Sequence, residues 1–190
     1  MSLSKKIGFL VSGRGSNMAA VLDEIAAGRL AAEARVVLSD NPEATALALA
    51  ARRGLPALGL TRKSFADRRA FETEIIRELR AREVELVVLA GFMRLVGPTL
   101  LGAFPGRIIN IHPSLLPAFP GLRAQAQALA RGVKLAGCTV HYVNEVMDGG
   151  PIIAQAAVAV RPDDTEETLS ARILAREHRL LSRAIAEIVL

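Results

Sequence analysis

Residues 7–17 read IGFLVSGRGSN, and this stretch decides the fold class. The unbroken apolar run at 7–11 predicts a buried strand, and the glycine-rich turn after it leads into a helix predicted over 17–27. A strand, a glycine turn and a helix in this order begin a βαβ unit, whose parallel strands are covered on both faces. The stretch therefore predicts an α/β protein.

The same alternation continues along the chain. Further strands are predicted at 35–39, 57–60, 85–90, 107–111, 137–143 and 152–160, and further helices at 44–53, 64–82, 124–131 and 165–190. The last two strands are joined by a short connection, so we expect them to be antiparallel neighbours. The sequence predicts one domain over 1–190: a doubly wound, mostly parallel sheet with helices on both faces and an antiparallel C-terminal strand pair.

The composition is that of an ordinary globular protein, with 190 residues, 51% hydrophobic and 23% charged. No apolar run approaches the ~18 residues of a membrane helix. Residues 1–11 also lack the apolar length and cleavage site of a secretory leader, so we expect a cytoplasmic protein. The single cysteine, Cys138, excludes an intramolecular disulfide and is expected in the core. Three scattered histidines favour no metal site.

A net charge of +5 raises the possibility of nucleic acid. Aromatic residues make up only 4% of the chain and tryptophan is absent, so stacking platforms for single strands are not expected. A small anionic substrate explains the surplus equally well. The predicted last helix carries arginines at helical spacing: Arg172, Arg176, Arg179 and Arg183. We interpret this row as a solvent-exposed helix face rather than as an edge that binds a polyanion.

Ligands of a doubly wound sheet bind at the carboxyl ends of its strands. The segments predicted at these ends are 12–17, 39–41, 91–94 and 110–114. The first opens a helix, where backbone N–H groups and the helix dipole favour an anion such as phosphate. A tight βα turn is the alternative. Met18 stands where a dinucleotide fingerprint needs glycine, and no Walker loop occurs.

Residues 110–117 read NIHPSLLP and present Asn110 and His112 on the same side of an extended segment. An amide donor beside an imidazole fits oxyanion stabilisation with a general acid. The alternative is a capping asparagine and a structural histidine. Asp148 lies in the sequence DGG. Either it is an ordinary turn residue, or its carboxylate orients His112 and favours the charged form of that histidine. We interpret His141 as a packed side chain rather than a catalytic one.

Four segments taken together carry a family resemblance: SGRGSN at 12–17, LAGFMR at 89–94, NIHPSLLP at 110–117 and MDGGPII at 147–153. Over essentially the whole chain they resemble the phosphoribosylglycinamide formyltransferases of the formyltransferase superfamily. The resemblance implies a reaction of purine biosynthesis: transfer of a formyl group from 10-formyltetrahydrofolate to the amine of glycinamide ribonucleotide, without a metal.

The resemblance also implies roles for three residues. Asn110 is expected to donate its amide to the formyl oxygen as the tetrahedral intermediate forms. His112 is expected to act as the general acid that stabilises this oxyanion and protonates N10 of the departing folate. Asp148 is expected to keep His112 charged and, through water, to help move the proton lost by the attacking amine.

Binding residues follow from the same resemblance. The phosphate is expected on Gly15, Ser16 and Asn17, and the ribose side on Leu174, Ala175, Arg176 and Glu177. The folate is expected along Met93, Arg94, Leu95 and Val96 and beside Asn110, with Arg68 at its glutamate tail. Its pterin is expected among Asn144, Glu145, Val146, Met147 and Asp148.

One departure and three alternatives accompany the resemblance. Gln125 stands where the family usually has histidine, which puts substrate affinity or pH response in doubt more than the reaction. The first alternative is a 10-formyltetrahydrofolate hydrolase, which shares the trio but carries an N-terminal regulatory domain. The second alternative is a methionyl-tRNA formyltransferase, which needs a further C-terminal domain. The third is a non-catalytic binding module, and the presence of Asn110, His112 and Asp148 together argues against it. We expect small-molecule partners only, no nucleic acid or membrane, and a monomer or homodimer.

Overall fold

The computed structural model describes residues 4–189. Its strands are β1 (Lys5–Val11), β2 (Ala32–Ser39), β3 (Ala57–Gly59), β4 (Leu86–Leu89), β5 (Ile108–His112), β6 (Leu135–Tyr142) and β7 (Ile152–Ala159). Its helices are α1 (Ser16–Ala26), α2 (Thr45–Arg52), α3 (Arg68–Ala81), α4 (Pro98–Ala103), α5 (Ala124–Arg131) and α6 (Glu166–Val189), with a short 3₁₀ turn at Arg62–Ser64. Leu190, the last residue of the predicted final helix, and residues 1–3 of the predicted N-terminal segment lie outside the described residues.

The strands form one seven-stranded sheet in the order β3-β2-β1-β4-β5-β6-β7. The first five strands in this order run parallel, whereas β6 is antiparallel to both β5 and β7. Chain order reverses between β1 and β4, and such a switch point leaves a crevice at the carboxyl ends of the strands. The predicted doubly wound sheet with an antiparallel C-terminal pair is confirmed.

Apolar layers cover both faces of the sheet. Along β1, Phe9 belongs to the layer that contains residues of α1 and α6, whereas Leu10 belongs to the layer that contains residues of α3 and α4. Both side chains are fully buried. Because successive strand residues point to opposite faces, a strand covered on both sides needs an unbroken apolar run. This explains why 7–11 shows no polar alternation.

Two helices differ from the sequence prediction. The helix predicted from residue 64 begins at Arg68, because the Asp67 side chain accepts a hydrogen bond from the backbone N–H of Ala70 at 2.7 Å and caps the helix there. Helix α4 was not predicted. It has only six residues, with Pro98 in its first turn, and so is too short for helical periodicity to be visible. None of the helices within residues 4–189 is long and apolar enough to cross a membrane.

Candidate active site

A cleft of about 1130 Å³ opens at the carboxyl ends of β1, β4 and β5. Pockets for a single drug-sized molecule occupy roughly 300–1,000 Å³, so this cleft has room for two small substrates side by side. All but two of the predicted site residues line it: Gly15, Ser16, Asn17, Arg68, Met93, Arg94, Leu95, Val96, Asn110, His112, Asn144, Glu145, Val146, Met147, Asp148, Leu174 and Glu177. The exceptions, Ala175 and Arg176, are exposed on α6, because residues 174 and 177 share the helix face toward the cleft and the two between them do not.

His112 is buried at the end of β5 and is fixed through both ring nitrogens. Its Nε2 lies 2.9 Å from the carbonyl oxygen of Phe119. Its Nδ1 lies 3.4 Å from Oδ2 of Asp148. Each nitrogen faces an oxygen acceptor, so a ring protonated at both positions can donate to both. The Phe119 carbonyl accepts the hydrogen bond from Nε2, so Nδ1 is the ring nitrogen that lies beside the Asp148 carboxylate at the cleft.

Asp148 reaches this position from a turn. Its φ is 52°, a left-handed conformation that Asp tolerates better than most residues, and Gly149 follows it. Its Oδ2 also accepts a hydrogen bond from the backbone N–H of Gly121 at 2.8 Å. The segment 119–121 thus holds His112 through a carbonyl and Asp148 through an amide. This segment belongs to the proline-rich stretch 113–121, which therefore sets the geometry of the pair.

His141 is packed, as the sequence predicted, and the structure adds that it also lines the cleft beside Asn110. Its side chain is 2% exposed, and it stands directly opposite Asn110 in the β5–β6 register. Nδ1 of His141 donates to the carbonyl oxygen of Tyr142 at 2.9 Å, so Nε2 is free to accept from Nδ2 of Asn110 at 3.3 Å. Burial lowers the pKa of His141, partly opposed by the Tyr142 carbonyl and by Asp148, which fits this neutral form.

A buried network behind the site supports the strand end. The hydroxyl of Thr139 donates to the carbonyl of Ser114 at 2.7 Å and accepts from the backbone N–H of Leu116 at 3.0 Å and from Nε2 of Gln155 at 2.9 Å. Residues 112–116 are therefore tied to β6 and β7. This bracing keeps the backbone after His112 in one conformation.

The predicted phosphate loop forms the start of α1. Gly15 is the N-cap with φ of 75°, and the first turn has neither a side-chain cap nor an acidic residue. The N–H groups at this helix start are left for an anion. A Cβ at Gly15 would lie 2.6 Å from Cβ of Ala46, so glycine is required both for the conformation and for the contact with α2. The backbone N–H of Ala46 also donates to the carbonyl of Gly13 at 3.1 Å.

Asn17 and Glu177 form a buried pair beside this loop. Nδ2 of Asn17 donates to Oε2 of Glu177 at 2.8 Å, whereas Oδ1 of Asn17 is buried without a hydrogen-bond partner among the described residues. Burial raises the pKa of Glu177, and the hydrogen bond from Asn17 opposes the rise. Both residues line the cleft, so the pair forms part of its wall beside the phosphate loop.

Polar contacts between side chains, beginning at Ser12 just after β1, stabilise the opposite side of the cleft. The hydroxyl of Ser12 donates to Oδ1 of Asp40 and accepts from the backbone N–H of Met93 at 2.8 Å. Oδ2 of Asp40 pairs with Nε of Arg94 at 2.6 Å. Arg68 pairs with the buried carboxylate of Glu72 at 3.0 Å, and its Nη2 donates to the carbonyl of Leu95 at 2.7 Å. Both guanidinium groups expected at the folate already have carboxylate partners.

Exposed apolar side chains flank the cleft mouth on both sides. They are Met93 (67% exposed) and Leu95 (62%) on one side, and Leu122 (76%), Val146 (63%) and Met147 (53%) on the other. Large exposed apolar patches on soluble proteins often mark binding surfaces. Of these five, Leu122 was not predicted, since a single leucine in a proline-rich loop gives no signal. Beyond Arg68 the cleft adjoins a smaller recess of about 340 Å³.

Three further expectations concern positions around the site. Gln125 lines the cleft, so the position at which the resemblance leads us to expect histidine faces this space. Cys138 is buried in the core, and burial raises the pKa of its thiol to about 12. Within residues 4–189, no group of three or more His, Cys, Asp or Glu side chains could hold a metal ion.

Comparison with known proteins places this site in a family. The family model described as formyl transferase matches residues 5–185. The chain is 46% identical to phosphoribosylglycinamide formyltransferase of Bacillus subtilis, over 97% of this chain and 95% of that one. It is 38% identical to the Escherichia coli protein of the same name, over 93% of this chain and 84% of that one. The crystal structure of glycinamide ribonucleotide transformylase 1 from Symbiobacterium toebii matches with a TM-score of 0.98 at 50% identity, covering 100% of this chain and 89% of that one.

Proposed function

The chain belongs to the formyl transferase family, and we propose on this basis that it transfers a formyl group from 10-formyltetrahydrofolate to the amino group of glycinamide ribonucleotide in purine biosynthesis. The observation that carries the proposal is the convergence of Asn110, His112 and Asp148 on one wall of the cleft, with Nδ1 of His112 3.4 Å from the Asp148 carboxylate. The resemblance that the sequence motifs gave is confirmed at the level of the family.

The chemistry follows from the positions of the polar atoms. The substrate amine attacks the formyl carbon, and the developing oxyanion accepts hydrogen bonds from Nδ2 of Asn110 and Nδ1 of His112. The bond from this carbon to N10 of the folate then breaks, and N10 takes the proton from His112. Asp148 stabilises the charged imidazole before this step. Through a water molecule, Asp148 also accepts the proton that the attacking amine releases.

His141 acts in this scheme through Asn110 and does not touch the substrate. A neutral Nε2 accepts one amide proton of Asn110 at 3.3 Å, which leaves the second amide proton directed at the cleft. Without this partner the Asn110 amide can turn about its side-chain torsion. We therefore regard His141 as a positioning residue of the oxyanion site.

The two substrates occupy opposite ends of the cleft in this proposal. The phosphate binds at Gly15, Ser16 and Asn17, and the ribose hydroxyls bind at Glu177 with Leu174 beside them. A ribose contact from Ala175 or Arg176 stays a prediction. The folate lies between the apolar rims, along 93–96 and 144–148, with its glutamate tail toward Arg68. Support comes from the start of α1, which has no side-chain cap, from Oδ1 of Asn17, which has no partner among residues 4–189, and from the exposed apolar side chains at the mouth.

The hydrolase alternative fits less well. The relatives compared above are named as transferases at high coverage, and one end of the cleft carries the start of α1 and the Asn17–Glu177 pair, which a water acceptor does not need. We also propose that residues 4–189 act as one domain, since both halves contribute strands to one sheet. The cytoplasm as location, a monomer or homodimer, and partners restricted to small molecules remain part of the same proposal.

An assay of folate product with and without ribonucleotide tests the proposal. Purified protein is mixed with 10-formyltetrahydrofolate, and the deformylated folate is followed by absorbance. Turnover that requires glycinamide ribonucleotide supports the transferase. Equal turnover without the ribonucleotide identifies a hydrolase, and no turnover in either case identifies a binding protein.

A further inference from the structure

The cationic side chains of the cleft differ in whether they already have a partner. Of the residues that the structure describes, four arginines line the cleft. Arg68 pairs with Glu72, Arg94 with Asp40 and Arg123 with Glu166, at 2.6–3.0 Å. The fourth, Arg14, forms no hydrogen bond or ion pair through its guanidinium within residues 4–189. It is the one cleft arginine in this range whose charge is not compensated by a carboxylate.

Arg14 lies in the phosphate loop, between Gly13 and Gly15. The residue is exposed, and its loop is fixed at both sides by the hydrogen bond from Ala46 to Gly13 and by the tight contact of Gly15 with Ala46. The side chain therefore extends from a rigid base next to the uncapped start of α1. A planar guanidinium can bind two phosphate oxygens at once.

A second observation, at Asn17, supports ligand binding at this end of the cleft. Asn17 is 9% exposed, and its Oδ1 has no hydrogen-bond partner among the described residues. A buried amide oxygen without a partner is costly, so a donor from a ligand is expected to occupy it. The sugar hydroxyls of a sugar phosphate supply such a donor, while its phosphate reaches the loop.

We propose that Arg14 binds the phosphate of the acceptor substrate directly and sets the preference of the enzyme for a phosphorylated acceptor over the same molecule without phosphate. The inference rests on the proposed function. It adds a full positive charge to a site that the sequence assigned to backbone amides alone. Since Arg14 is exposed, salt screens the interaction, and its contribution shrinks as ionic strength rises.

Calorimetric binding with matched variants tests this role. Dissociation constants for glycinamide ribonucleotide and for glycinamide riboside, which lacks the phosphate, are measured for the wild type, for Arg14→Gln and for Arg179→Gln. Arg179 is an exposed arginine of α6 outside the cleft, so its variant loses the same charge elsewhere. Arg14→Gln is expected to weaken ribonucleotide binding about tenfold at low salt and to leave riboside binding unchanged. Arg179→Gln is expected to match the wild type with both ligands.

Three results would overturn the role of Arg14. They are unchanged ribonucleotide affinity in Arg14→Gln, an equal loss for the riboside, and an equal loss in Arg179→Gln. Arg14→Lys separates charge from geometry, because it keeps the charge without the bidentate fork and is expected to lose only part of the affinity. A wild type that binds the ribonucleotide without formylating it contradicts the proposed function, while the binding comparison still decides the role of Arg14.

Discussion

Nδ1 of His112 and Oδ2 of Asp148 lie 3.4 Å apart, and the backbone of residues 119–121 forms hydrogen bonds with both side chains. The carbonyl of Phe119 fixes the far side of the imidazole, and the N–H of Gly121 fixes the carboxylate. The pair is therefore set before any substrate binds. In the proposed reaction this arrangement keeps a proton on the nitrogen that faces the formyl group.

Removal of either member of the pair is expected to lower kcat by ~10² or more, because the acid and the group that keeps it charged are lost. The variants are His112→Ala and Asp148→Asn. Steady-state kinetics with both substrates measures the loss, and thermal unfolding checks that the fold survives. Asp163→Asn changes an exposed acid outside the cleft and serves as control. Near-native rates in His112→Ala or Asp148→Asn would remove that residue from the scheme.

His141→Gln is expected to lower kcat about tenfold with little change in either KM, since it disturbs the direction of the Asn110 amide and not substrate binding. A double-mutant cycle with Asn110→Ala checks this. Once the Asn110 amide is absent, the His141 substitution should cost almost nothing further. Additive losses would show that His141 acts independently of Asn110. Because His141 is buried, circular dichroism of each variant accompanies the kinetics.

Gly15→Ala is expected to raise KM for the ribonucleotide about tenfold and KM for the folate much less, because the added Cβ pushes the phosphate loop away from Ala46. Gly28→Ala is the matched control. It also has positive φ, at 69°, but a Cβ there has nothing within 4 Å. Both variants should lose about 1 kcal/mol of unfolding free energy from the unfavourable φ. A defect confined to the folate would contradict the assignment of the loop to phosphate.

Glu177→Gln is expected to stabilise the unliganded protein at pH 7.5 and to weaken ribonucleotide binding about tenfold. Burial raises the pKa of Glu177 in the folded state. The protonated carboxyl therefore stabilises the fold below its ordinary pKa, and this contribution is lost as the pH rises through the raised value. Glutamine mimics the protonated form at every pH and keeps an oxygen for Asn17.

Urea unfolding of wild type and Glu177→Gln between pH 4 and 8 measures this effect. The free energy of unfolding should depend less on pH in the variant, and the gap between the two proteins should widen as the pH rises. A variant that is less stable than the wild type at pH 7.5 would show that the ionised carboxylate contributes favourably to the fold.

Much of the fold could be predicted because both faces of the sheet are buried. That burial makes residues 7–11 and 86–90 unbroken apolar runs, which stand out from the polar turns beside them. The start of α3 was misplaced because an aspartate cap at residue 67 outweighed the helical pattern before it. Helix α4 gave no signal because six residues span fewer than two turns.

The sequence predicted which segments lie at the site, but it did not predict the contacts between their side chains. Strand ends pointed to 12–17 and 39–41, but only the folded chain shows that Asp40 links Ser12 to Arg94. His141 is packed as predicted, but its contact with Asn110 depends on the register of β5 against β6, which sequence spacing does not contain. That Arg14 has no partner within residues 4–189 likewise became visible only when the partners of the other cleft arginines were known.

Formyl transfer to the ribonucleotide amine can be observed by following the formyl carbon itself. The enzyme is supplied with 10-formyltetrahydrofolate labelled with ¹³C in the formyl group and with glycinamide ribonucleotide, and the products are separated by mass spectrometry. We predict one labelled N-formyl group on the ribonucleotide for each folate released. Label recovered as free formate, at a rate that does not depend on the ribonucleotide, would show that the enzyme is a hydrolase and not a transferase.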